Sequence, residues 1–230
     1  MAVTTRSQKA NSSTPTITST DVLLYIPNLI GYLRVCCTLL FIYLCQDQEQ
    51  WHIAISAYVI SFTLDLFDGM AARRFNQASK FGAVLDMVTD RCSTALLLSV
   101  LGIIYPQHFQ IYLLLMALDI SSHWIQMKAA GQMHHKSSSQ NFVVSFYYEN
   151  YYFFGYCCVG AEFFYILMYA LRFCPASFEY KEQLHMLTFY VMLPGCAIKQ
   201  FVNVCQLAAA SNAIARGDAE EANNRATKNK

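Results

Sequence analysis

Four aspartates set among apolar residues are the side chains best suited to chemistry. Asp65 and Asp68 stand three apart and Asp86 and Asp90 four apart, each pair flanked by Leu, Phe, Met, Val and Ala. Residues at these spacings share one face of a helix, so each pair presents two carboxylates in one direction. Charged groups within apolar runs are costly and mark functional sites. Four that converge must either retain protons or enclose a cation. Carboxylate oxygens suit a hard divalent ion such as Mg²⁺ or Mn²⁺. Such a centre serves phosphate chemistry: metal neutralises a diphosphate and stabilises the leaving oxygen, while a carboxylate acts as general base.

The neighbouring residues fit that reading. Gly69 and Gly82 remove side chains where a ligand or a second backbone could come close. Arg73 can pair with a phosphate, although Arg73-Arg74 also reads as an orientation anchor. Arg91 either orients an incoming alcohol or neutralises the acidic cluster. Arg34 and Lys199 lie in apolar context, where snorkelling or ion pairing accounts for them, with Asp119 a partner for either. His123-Trp124 reads as a satisfied interfacial pair, His134-His135-Lys136 as a solvated loop, and Phe146 to Phe154 as an aromatic belt in which Glu149 and Asn150 stand out. Glu162 has no partner that the sequence names.

These residues need a membrane scaffold. The 230 residues are 55% hydrophobic and only 13% charged, outside the range of soluble domains. A net charge of +1 provides no basic field for nucleic acid. The nine cysteines show no CxxC spacing and read as small packing residues. Six apolar stretches are each long enough to cross a bilayer: Val22 to Cys45, Trp51 to Ala72, Gly82 to Tyr105, Phe109 to Met127, Tyr151 to Phe173, and Leu184 to Ala210, the last with a kink expected at Pro194-Gly195. The expected fold is therefore all-α, a polytopic membrane protein with six transmembrane helices. Residues 21–212 form the membrane domain, between a disordered tail at 1–20 and a charged tail at 213–230. Arg6, Lys9, Arg73, Arg74, Lys80, Lys128, Lys136, Arg216, Arg225, Lys228 and Lys230 all fall on one side, which places both termini in the cytosol. The aspartate pairs close the second span and open the third across a short connection, so those two helices are expected to be antiparallel neighbours.

Taken together, Asp65-x2-Asp68-Gly69-x2-Ala72-Arg73-x8-Gly82-x3-Asp86-x3-Asp90 resembles the signature of the CDP-alcohol phosphatidyltransferase family, with all eight specified positions filled. The resemblance implies a six-helix membrane fold, usually dimeric, with its active site open to the cytosol. It implies that Asp65, Asp68 and Asp86 bind metal, that Asp90 binds metal or acts as base, and that Gly69, Ala72, Arg73 and Gly82 hold the CDP moiety, with Ser79 at the diphosphate. Ile26-Pro-Asn-Leu-Ile-Gly-Tyr-Leu-Arg34, Asp119-Ile-Ser-Ser-His-Trp124, and Lys199 with its charged tail are similar to the branch of that family that makes phosphatidylinositol. That similarity implies CDP-diacylglycerol and myo-inositol as substrates, and the endoplasmic reticulum as location. Two alternatives stay open: the same chemistry on glycerol 3-phosphate or serine, and a non-catalytic cation channel or transporter. A phosphate-bearing acceptor should need an extra basic pocket, which the spans do not supply.

Overall fold

The computed structural model describes residues 16–132 and 142–228. Most of the expected N-terminal tail, with Arg6 and Lys9, lies outside them, as do His134-His135-Lys136 and Lys230. Among the described residues all regular structure is helical: α1 (Ser19–Leu23), α2 (Ile26–Leu44), α3 (Trp51–Arg74), α4 (Lys80–Ile104), α5 (Phe109–Gln132), α6 (Phe142–Glu149), α7 (Tyr151–Phe173), α8 (Lys181–Met186) and α9 (Leu193–Lys228). Helicity thus begins at Ser19, inside the segment that composition marks as disordered, because Thr18 and Asp21 form a reciprocal capping box.

Five helices are long and apolar enough to cross a membrane: α2, α3, α4, α7 and the continuous helix Lys181–Lys228. The expected fourth span, α5, has 24 residues and so a length of about 36 Å. Asp119, Ser121, Ser122 and His123 make its inner half polar. It packs between α4 and α9.

Pro27 sits in the first turn of α2, where a missing N–H leaves no bond unmade. Beyond it Asn28, Gly31, Arg34, Thr38 and Phe41 recur every three or four residues and form the buried stripe of the helix. Leu29, Leu33, Leu39 and Tyr43 point outward. α2 packs along α3 and also against α4, while α3 and α4 make little direct contact. The two aspartate helices are therefore not packed directly on each other: α2 is wedged between them.

At the far end of the bundle the core is aromatic. Phe41 meets the rings of Tyr58 and Tyr169 edge-on at 5.0 and 5.4 Å. The Tyr169 hydroxyl donates to the Cys45 carbonyl at 2.9 Å. In the turn beyond α2, the Glu49 backbone N–H and the Gln50 side chain donate to Asp47 and hold its carboxyl below the usual range. All the cysteines are free, and Cys45, Cys157, Cys174 and Cys196 are buried packing groups.

Pro194 does not break the last span. The helix widens into a π-type turn over Leu187–Met192 just before the proline, which accommodates its missing N–H and bulky ring. The Tyr156 hydroxyl donates to the Val191 carbonyl in that turn at 2.7 Å. A Cβ on Gly160 would lie 3.1 Å from the Gly195 Cα, so α7 and α9 cross backbone to backbone at these two glycines. α9 continues as helix past Ala210 to Lys228.

Candidate active site

The loop of residues 75–79 sets the geometry. Asn76 adopts a left-handed φ of 54°, a conformation that Asn tolerates better than most residues. It lets the Gln77 N–H return to the Ala72 carbonyl at 2.9 Å, a Schellman-type closure that stops α3 one turn after Asp68-Gly69. Ser79 then caps α4, its Oγ accepting the Gly82 N–H at 2.9 Å.

Asp65, Asp68 and Asp86 each bring one carboxylate oxygen within 4.8 Å of the others. Asp90 joins them through Arg34. Nη1 of Arg34 lies 2.7 Å from Asp65, 2.7 Å from Asp68 and 2.9 Å from Asp86, while Nη2 contacts Asp90. The Arg34 side chain is 2% exposed, against 10% for Asp68 and 49% for Asp86, so the cluster opens toward Asp86. One guanidinium thus satisfies four carboxylates projecting from two other helices. The three converging oxygens are all hard donors with no Cys or His among them, a set that fits Mg²⁺ or Mn²⁺.

Beside the aspartates lies a cavity of about 170 Å³. Gly69, Ala72, Ser79 and Gly82 line it together with Asp68 and Asp86, and Pro27, Asn28, Gly31 and Gln77 are also part of the wall. Gly82 has no room for a side chain: a Cβ there would sit 2.9 Å from Asn28 Oδ1 and 3.1 Å from Ser79 Oγ. Arg73 is not part of the lining. Its guanidinium lies near Gly69, 3.6 Å from where a Cβ would stand. The Ser79 oxygen accepts the cap bond, which leaves its hydroxyl proton to donate.

Arg91 pairs with Asp119 through Nη1 at 2.7 and 2.8 Å, and its Nη2 lies 3.4 Å from Asp90. Asp119 is therefore the partner of Arg91, not of Arg34 or Lys199. The His123 ring lies with Nδ1 2.8 Å from the Asp119 carbonyl, while Trp124 is 63% exposed on the outer face. Lys199 is buried, donating to Asn203 at 3.0 Å and lying 5.6 Å from the Tyr147 ring centre. Of the aromatic run, Tyr151 and Tyr152 face outward and Tyr147 is buried. Asn150 is the N-cap of α7, accepting the Phe153 N–H at 3.1 Å. Glu149 accepts from Ser145 at 2.7 Å.

Sequence reasoning did not place Arg34, Asn28 or Gln77 in the site. The first two carried a signal: they are strongly polar residues on the buried stripe of α2, which also holds Pro27, Gly31, Thr38, Phe41 and Leu44. Gln77 carried none, because its position depends on the Asn76 turn. The partners of Glu162 are Tyr58 on α3 and Thr94 on α4.

Residues 24–210 match the family described as CDP-alcohol phosphatidyltransferase. A Candida albicans protein is 39% identical over 214 residues, covering 87% of this chain and 86% of its own, and is named CDP-diacylglycerol--inositol 3-phosphatidyltransferase. Proteins with the same name from Saccharomyces cerevisiae (37% identical, covering 93% of this chain and 96% of theirs) and Rattus norvegicus (34%, covering 87% and 96%) are similar over nearly their full length. No solved structure matches the chain.

Proposed function

The chain belongs to the CDP-alcohol phosphatidyltransferase family, and from that premise we propose that it transfers the phosphatidyl group of CDP-diacylglycerol to myo-inositol, yielding phosphatidylinositol and CMP. The observation that carries the chemistry is the meeting of Asp65, Asp68 and Asp86 at the edge of the cavity walled by Gly69, Ala72, Ser79 and Gly82. The names of relatives that match nearly end to end support inositol as acceptor.

In this reading the acyl chains of CDP-diacylglycerol remain in lipid and its nucleotide enters the cavity. The narrow wall at Gly82 and Asn28 seats the CDP moiety, Ser79 donates to its diphosphate, and Arg73 turns in from beside Gly69 to do the same. Asp65, Asp68 and Asp86, with Asp90, would hold Mg²⁺ or Mn²⁺. When bound, the metal neutralises the diphosphate and the charge developing on the departing CMP. Asp90 removes the proton from an inositol hydroxyl. That oxygen attacks the phosphorus bearing the diacylglycerol, and the phosphorus–oxygen bond to CMP breaks, with no covalent enzyme intermediate. Arg91, fixed by Asp119, orients the acceptor beside Asp90. Positioning and electrostatics supply the rate.

Residues 21–212 make up the catalytic membrane domain in this reading, with the site and both termini in the cytosol. The protein works as a homodimer in the endoplasmic reticulum, and α5 crosses the membrane with the other five spans. The placement of Arg73, Arg74 and Lys80 at the end bearing the cavity supports the orientation.

The test is competition in proteoliposomes containing CDP-diacylglycerol, with labelled inositol, serine and glycerol 3-phosphate offered together. Inositol alone should be incorporated, with CMP released in equal amount. Asp90→Asn should lose nearly all turnover, and chelation should abolish it until Mg²⁺ or Mn²⁺ is restored. Preferential use of another alcohol would overturn the acceptor. Turnover that survives chelation would overturn the metal.

A further inference from the structure

Nη1 of Arg34 stands 2.7–2.9 Å from the carboxylate oxygens of Asp65, Asp68 and Asp86. A divalent ion ligated by the same oxygens needs them at about 2.0–2.1 Å for Mg²⁺, so a guanidinium nitrogen and the ion cannot share that centre. Loading the metal must displace Arg34, and a displaced guanidinium 2% exposed cannot simply move into water. It needs a second acceptor within the bundle.

The structure contains one. Beside Arg34 a small, partly open chamber of about 30 Å³, room for about one water, has Arg34, Tyr58, Asp90, Arg91, Thr94 and Glu162 among its lining residues. Nε of Arg34 is buried and has no hydrogen-bond partner. Glu162 is a half-buried carboxylate whose oxygens accept hydrogen bonds from neutral hydroxyls, those of Tyr58 and Thr94, and among the described residues it forms no salt bridge. A guanidinium N–H without a hydrogen-bond partner and a carboxylate without a salt bridge thus line one small space, with Asp90 and Arg91 beside them.

We propose that Arg34 and Glu162 form an exchange pair that governs metal loading. Arg34 competes with the divalent ion for the aspartate oxygens, and Glu162 receives the guanidinium when the ion displaces it. The pair keeps four carboxylates assembled before loading and avoids stranding a cation afterwards. Both are positioning residues, acting through the aspartates. The proposal rests on the reading that the aspartates bind metal.

Mn²⁺ affinity measured on the full-length protein in detergent micelles, without lipid substrate, separates the outcomes. Arg34→Met should bind Mn²⁺ roughly tenfold tighter, within the range of ordinary coupling between sites. Glu162→Gln should bind it several-fold more weakly, since Arg34 then has nowhere favourable to go. In the Arg34→Met background the Glu162→Gln change should shift affinity by less than about twofold, the scale expected of uncoupled sites. Unchanged or weaker binding by Arg34→Met, or an equal effect of Glu162→Gln in both backgrounds, overturns the exchange. If Arg34→Met does not fold, Glu162→Gln alone decides, and an unchanged affinity refutes the proposal. A purely structural Glu162 would lower the melting temperature and leave Mn²⁺ affinity where it was. No Mn²⁺ binding by the unmutated protein would instead refute the metal reading itself.

Discussion

At one end of the bundle helices are joined by charge, and at the other by rings. Around Arg34 a single guanidinium draws together carboxylates from α3 and α4, helices that otherwise scarcely touch. Around Phe41 the same two helices and α7 contribute Tyr58, Leu97, Leu101 and Tyr169 to one buried apolar cluster. The aromatic end gains from close packing and nothing can replace it. The charged end is held by an internal counter-ion that a ligand of the same sign can replace. Stability and chemistry should therefore separate along the length of α2.

The sharpest break of this contrast would come from Asp68→Asn. Its loss should reduce CMP formation at least about a thousandfold, equivalent to about 4 kcal/mol of barrier. The melting temperature should hold or rise, because three carboxylates still surround Arg34 and one repulsion is gone. A clear drop in melting temperature would show that the charged end carries stability after all. Phe41→Ala is the mirror experiment. It should cost about 3–5 kcal/mol of stability, read by thermal unfolding in detergent, while activity per folded molecule stays near the parent value.

Two smaller changes probe the border between the regions. Gly82→Ala places a Cβ 2.9 Å from Asn28 Oδ1, an overpacking that costs about 1–3 kcal/mol. Because it narrows the cavity and leaves the aspartates in place, it should raise KM for CDP-diacylglycerol about tenfold with a smaller change in kcat. Asn76→Val meets the left-handed φ of 54° and should cost about 1–2 kcal/mol, whereas Asn76→Gly should be neutral. Equal melting temperatures for these two variants would show that the 75–79 turn does not position the site.

Much of this is legible in the sequence. Acidic spacing in an apolar context pointed to the carboxylate cluster, because helical periodicity is local and the cost of a buried charge is general. Close approach at Gly82 was legible in the same way, whereas at Gly69 a Cβ would meet only the Arg73 guanidinium at an ordinary 3.6 Å. What could not be read was which helix comes between. The role of Arg34 depends on the packing of α2 against both aspartate helices, a tertiary fact that one-dimensional spacing does not carry. Glu162 is a similar case, since its partners lie 104 and 68 residues away in sequence. The stretch Phe109 to Met127 is less apolar than the other spans because Asp119, Ser121, Ser122 and His123 lie within it, a feature already visible in the sequence. At Pro194 the preceding residues redistribute their bonds into a π-type turn, one of the irregularities at which helices bend.

That widened turn and the glycine crossing below it have a mechanical corollary. Gly160 and Gly195 let two backbones touch at one point, and from there α9 runs on unbroken to Lys228. At 1.5 Å per residue this is an arm about 50 Å long. A tilt of about 5° at the crossing would carry its tip about 4 Å, so a small adjustment deep in the bundle is enlarged where the rod emerges.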